Sequence, residues 1–136
     1  MITSPSSPGS VTSERPPAER LSRKFQKELN SGLASLVLLG VLDQATEDLY
    51  GYQIAKRLAT LSHRDHAITP GSLYPVLRQL AAEGLLTSRI VPSYAGPPRR
   101  YYRMTDLGHR TLVEWRKQWE ATRDFVTMAL AAKGST

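Results

Sequence analysis

Residues Thr69 to Gly84, T-P-G-S-L-Y-P-V-L-R-Q-L-A-A-E-G, carry the punctuation of one complete helix. Thr69 can cap its start, because a threonine hydroxyl accepts from a free N–H of the first turn. Pro70 follows at the first helical position, where a missing N–H costs nothing. Gly84 is a C-terminal stop. Leu73, Val76, Leu77 and Leu80 recur at the spacing of a single apolar stripe. The opposite face holds Ser72, Tyr74, Pro75, Arg78 and Gln79, with no acid before Glu83. Hydroxyls, an amide and a guanidinium on one face can read the edges of DNA bases. An ordinary amphipathic surface helix has the same pattern. Pro75 is a local conflict: it removes a helical hydrogen bond and biases Tyr74 away from the α region. The expectation is a distorted start, with full winding only from about Tyr74.

The rest of the chain supplies the context for that helix. Residues 1–21 are rich in Ser and Pro, almost without apolar side chains, and are expected to be disordered. From Arg15 to Lys27 the segment turns basic, which suits either a phosphate-touching tail or a solvated extension. A first helix is expected from about Ser22 to Gln44. Phe25, Leu29, Leu33, Leu36, Val37, Gly40 and Val41 lie at helical spacing, and Leu38, Leu39 and Leu42 widen the stripe. Its second half should therefore be buried nearly all round. After a short polar break at 46–49, a second helix is expected over Gly51 to Leu61, with Ile54, Ala55, Leu58 and Leu61 inward. Gln53, Lys56 and Arg57 would face out.

Past Gly84 the periodicity changes. Residues 85–91 and 99–104 read as strands, and P-S-Y-A-G-P-P between them as a turn, giving a β-hairpin with a long tip. No acid occurs between Glu83 and Asp106, while Arg89, Arg99, Arg100 and Arg103 all fall there. Tyr101 and Tyr102 alternate along a strand, so one should pack inward and the other outward. Thr105 is the expected cap of a last helix running to about Ala131, with Asp106 in its first turn. Leu112, Trp115, Trp119, Thr122, Val126 and Ala129 form a heptad-like seam flanked by Phe125 and Met128. No earlier element remains to cover so long a stripe, so a second copy of the same helix is the economical partner.

Composition narrows the classes. The 136 residues suffice for one domain with a core. A net charge of +6 and a pI near 9.9 favour a polyanionic partner. The chain has no cysteine, which excludes disulfides, thiolate metal sites and cysteine nucleophiles. The longest apolar run, Leu33 to Leu42, is too short to span a bilayer, and the long polar segment before it does not suit a signal peptide. A protein of the cytosol without membrane contact is expected.

The order of elements is that of a winged helix-turn-helix: mainly α, with a small β-hairpin wing and a long C-terminal helix. Residues 22–104 would be the DNA-binding domain and 105–136 the dimerisation helix. The second helix would brace the third, the third would enter the major groove, and the hairpin would lie along the backbone or in the minor groove. G-Y-Q-I-A-K-R-L at 51–58, G-S-L-Y-P-V-L-R-Q-L at 71–80, E-G-L-L at 83–86 and G-P-P-R-R-Y-Y-R-M-T-D-L-G at 96–108 resemble the PadR family of bacterial transcriptional regulators. The likeness runs from about Leu29 to the C-terminus. The single C-terminal helix resembles the family's smaller subfamily, and the Ser/Pro-rich extension departs from its usual compact start. The resemblance implies a homodimeric repressor on a pseudo-palindromic operator, released by a ligand or stress signal.

Site residues follow. The resemblance places Ser72, Tyr74 and Arg78 on the recognition helix and Arg99 and Arg100 at the wing. Gly51 and Tyr52 match the turn before the second helix, where Tyr52 is either core or a phosphate contact. By physics, Arg78 suits base-edge readout, because an arginine can bridge two acceptors of guanine. Ser72 and Tyr74 suit phosphates or an adjacent base. Arg99, Arg100 and Arg89 suit the backbone or minor groove. Lys56 and Arg57 suit either phosphates or an ordinary solvated face. Trp115 and Trp119 either fill the dimer seam or stack on a small planar aromatic effector. In drug-sensing members of the family this helix lines a pore between subunits, and Trp119 is the better candidate for that position by its spacing from Thr105.

Other classes fare worse. His63, His66 and His109 lack the further ligands a metal site needs, so no metal or cofactor is expected. There is no Gly-rich phosphate loop, nucleophile elbow or H-E-x-x-H, which argues against an enzyme. A winged helix used only for protein interaction is the alternative. The acid-free hairpin speaks against it, because a protein partner does not generally require one.

Overall fold

A computed structural model describes residues 15–61 and 70–131. The chain divides into two compact units, residues 1–32 and 33–136. Helix α1 (Pro17–Gln44) begins earlier than the expected Ser22. Residues 17–21, expected to be disordered, are therefore helical. Pro17 suits a first helical position, Glu19 lies in the first turn, and Arg15 donates to Glu19 at 2.8 Å. The remainder of the tail, residues 1–14, lies outside the described residues, as do the connector with His63 and His66 and the expected cap Thr69. In residues 17–32 Phe25 is 61% exposed, so the apolar stripe expected there is open.

Within residues 33–136 the core gathers Leu38, Leu39 and Leu42 of α1 with Ile54 and Leu58 of α2 (Gly51–Leu61). Leu73, Leu77 and Leu80 of α3 (Pro70–Ala82) join them, all three at most 1% exposed. Three of the four stripe residues of α3 are thus fully buried, and Val76 is half-buried. The second half of α1 is less enclosed than expected, since Val37 is exposed. Leu61 is exposed as well, at the last residue of α2.

α3 runs without interruption through Pro75. It is wound from Pro70, not only from about Tyr74 as expected. Pro75 deprives one early carbonyl of a partner, and the buried Leu73 and Leu77 on either side hold the helix in register. Gly84 adopts φ +83° and ends the helix. Its N–H donates to the Ala81 carbonyl at 3.0 Å, and the Leu85 N–H to the Leu80 carbonyl at 3.0 Å, the paired bonds of a Schellman stop.

The sheet has three strands, not two. β2 (Leu86–Val91) and β3 (Arg99–Met104) form the expected antiparallel hairpin, from Leu86↔Met104 to Val91↔Arg99. β1 (Leu49–Tyr50), which starts on the last residue of the segment read as a polar break, pairs with the other edge of β3. Two residues are too few for an alternation to be legible. Tyr50 also precedes α2, where its N–H donates to the Gln53 side chain at 3.1 Å, half of a capping box. Tyr102 and Met104 point into the core while Tyr101 is half-buried on the other face, the alternation expected.

α4 (Asp106–Ala131) is capped by Thr105, whose hydroxyl accepts the Gly108 N–H at 2.9 Å. The same hydroxyl faces the Gly84 carbonyl at 2.7 Å, and the Thr105 N–H donates to the Leu85 carbonyl at 3.1 Å. Start of α4 and end of α3 are thereby fastened together. Leu112 is buried and Trp115 packs partly against the core; beyond them Phe125, Val126, Met128 and Leu130 are exposed.

Candidate nucleic-acid interface

The start of α2, the outer face of α3 and the first residues of β3 enclose a cleft of about 410 Å³. Tyr74 and Arg78 reach it from α3, Arg99 and Arg100 from the wing. Four of the residues expected to meet DNA, from two elements, therefore line one concavity. Ser72 lies on the same helix, exposed, outside the lining. Lys56 and Arg57 are exposed on α2, outside it as well. Trp115 and Trp119 are on α4 and take no part in it.

Periodicity explains why α3 presents these groups. Burying Leu73, Leu77 and Leu80 turns Tyr74 and Arg78, four residues apart, to one outer face. On β3 the alternation that buries Tyr102 leaves Arg100 on the same side of the sheet, two residues away. Arg100 donates to Ser88 Oγ at 3.0 Å across the hairpin. Burial pushes the Tyr102 phenol above its usual pKa, against the opposing pull of the Arg100 and Arg78 charges. The phenol is therefore a neutral hydrogen-bonding group near neutral pH.

The other face of the sheet ties its arginines down. Arg89 Nε lies 3.1 Å from Asp48 Oδ2, and Arg103 Nε 3.8 Å from Asp48 Oδ1. The Arg89 guanidinium also sits 5.2 Å from the Tyr101 ring centre. Arg89, expected to grip DNA, is thus partnered within the protein. The hairpin is acid-free in sequence but not in space, because Asp48 arrives from before β1. Arg99 lies over the Tyr50 ring at 4.5 Å, a cation–π contact that orients the guanidinium without neutralising it. Tyr50 in turn meets Tyr101 edge-on at 5.2 Å and stacks with Tyr52 at 6.3 Å.

Tyr50, Gly51 and Tyr102 also line the cleft, although sequence reasoning does not single them out as contacts. Gly51 and Tyr52 are noticeable only through the G-Y-Q-I motif; Tyr50 depends on the short strand that periodicity misses. Among the described residues no group of three His, Asp or Glu side chains could hold a metal ion. His109 Nδ1 instead faces Asp43 Oδ1 at 3.0 Å, beside the start of α4.

Residues 38–114 match the transcriptional regulator PadR-like family. That span covers more than half of the chain and contains the whole cleft. The chain belongs to the PadR-like family. Transcriptional regulator Rv3488 of Mycobacterium tuberculosis is 35% identical over 101 residues, 72% of this chain and 82% of the relative. A PadR family transcriptional regulator from Eggerthella lenta superposes with a TM-score of 0.69 at 34% identity, covering 83% of this chain and 95% of that one. A PadR-like regulator from Bacillus cereus gives 0.61 at 29% identity, covering 76% and 96%. The winged-helix architecture is shared with these PadR neighbours, and members of the family are DNA-binding transcriptional regulators rather than enzymes. No helix among the described residues is long and apolar enough to cross a membrane.

Proposed function

We propose that this PadR-like regulator acts in the cytoplasm as a homodimer that represses transcription from a pseudo-palindromic operator and is released by a small effector. The observation that carries the reading is the convergence of Tyr74 and Arg78 with Arg99 and Arg100 in one cleft. A recognition helix in the major groove would present Arg78 to a base edge, while the wing arginines hold the adjoining backbone. Ser72 and Tyr74 fix the register on phosphates, and Lys56 and Arg57 add charge at the flank. Arg89 pairs with Asp48 on the other face of the sheet and would share its guanidinium with any backbone it meets.

Dimerisation is supported by the exposed apolar seam of α4, where Phe125 and Met128 are each 73% exposed. Such a stripe needs cover, and an identical helix offers a self-complementary one. Trp119 lies on the same helix and is 37% exposed, so it can meet a planar aromatic effector between two subunits. Trp115 is half-buried against its own core. The test is footprinting on the DNA upstream of the protein's own gene, with and without planar aromatic cations. A symmetric protected site that is lost on adding such a compound is expected. Protection of no site would overturn the reading, and protection insensitive to every such compound would remove the aromatic effector.

A further inference from the structure

Gly51 has an ordinary backbone conformation: among the described residues only Gly84 and Gly96 are glycines with positive φ. Nothing in its dihedral angles calls for glycine, and alanine is the better helix former. The requirement is spatial. A methyl group on Gly51 would run into Cε1 of Tyr74, lying 2.7 Å from its hydroxyl oxygen and 2.9 Å from Cζ. The Tyr74 ring therefore rests where any side chain at residue 51 would be. Gly51 is buried at the start of α2, directly after Tyr50, whose ring carries Arg99. Tyr74 belongs to another helix and is exposed on its outer side. The obstruction falls on the far end of that side chain, so alanine at residue 51 would displace the ring rather than break the core.

We infer that Gly51 is a positioning residue of the DNA interface. The space it leaves seats the Tyr74 ring, and the seat holds the Tyr74 hydroxyl at the cleft where it and Arg100 meet one backbone phosphate. The chemistry fits the lining: a phenol O–H donates one hydrogen bond to a phosphate oxygen, and a guanidinium supplies the charge. Arg100 uses one N–H group on Ser88 and has others to offer. The inference rests on the DNA-binding reading above and assigns a role to a residue that touches no DNA itself.

The experiment is a double-mutant cycle with the full chain on a duplex selected by the wild-type protein from a random pool. Gly51→Ala is expected to weaken binding roughly tenfold, the loss of about one hydrogen bond to a charged group. Tyr74→Phe should match it. In a Tyr74→Ala background the same Gly51→Ala change should cost nothing, because the obstructed ring is gone. Thermal unfolding followed in parallel keeps loss of fold apart from loss of position. Neutral methylphosphonate linkages placed one at a time should include one position where the wild type loses more than Tyr74→Phe and Gly51→Ala do, the Arg100 share of the loss remaining in all three. Equal losses from Gly51→Ala in the wild-type and Tyr74→Ala backgrounds, or unchanged affinity of the single variant, would overturn the role of Gly51 while leaving the regulator reading standing. Failure of the wild type to select any duplex would overturn both.

Discussion

At the scale of single residues, the arginines of the wing differ in what holds each of them. Four fall between Glu83 and Asp106, and along the chain they look equivalent. Folding makes them unequal. Arg89 and Arg103 share Asp48, Arg99 lies on Tyr50, and Arg100 reaches Ser88 on the cleft side. Asp48 is far from Arg89 in sequence, so charge counting within a window cannot find it. Arg78, by contrast, is legible, because a helix that buries Leu73, Leu77 and Leu80 has only one way to face it. Arg78→Ala should flatten the preference at one base pair by about 1–3 kcal/mol while leaving binding to unrelated duplexes nearly unchanged. Competition between single-base variants of a selected site checks this. A uniform loss across all variants would instead make Arg78 a phosphate contact.

At the scale of elements, the helices and the hairpin are legible from spacing and punctuation. Thr105 and Gly84 do what their residue types suggest, one capping α4 and the other ending α3. Two features escape. β1 is too short to show a period, and α3 is wound from Pro70 despite Pro75, where burial of Leu73 and Leu77 on both sides outweighs one lost hydrogen bond. The junction of α3 and α4 depends on a contact no pattern reveals. A methyl group on Gly108 would meet the Leu85 carbonyl, with the Leu85 carbonyl carbon at 3.2 Å. Backbone cannot swing aside as a ring can. Gly108→Ala should therefore cost about 1–3 kcal/mol, as overpacking does, seen as a lower thermal midpoint. An unchanged midpoint would mean that this junction is looser than its hydrogen bonds suggest.

At the scale of the whole molecule, the proposed function requires a second copy of α4 and a duplex of DNA. The long seam suggests a dimer from sequence, but its first part belongs to the core, where Leu112 is buried and Trp115 partly so. The proposed dimer surface therefore begins later, nearer Trp119, than the heptad pattern suggests. Phe125→Glu should weaken self-association by roughly 2 kcal/mol or more, as loss of a central aromatic does. Sedimentation equilibrium checks it, and an unaltered dimer would place the interface elsewhere.

The salt dependence of DNA affinity is the most direct measurement of the central claim. Each phosphate neutralised contributes about −0.9 to the slope of log affinity against log salt. The wild type should bind duplex DNA with a steep slope, and the Arg99→Ala, Arg100→Ala double variant should lose about two phosphates' worth of it. No binding at low salt, or a slope that the double variant leaves untouched, would contradict a wing that grips the DNA backbone.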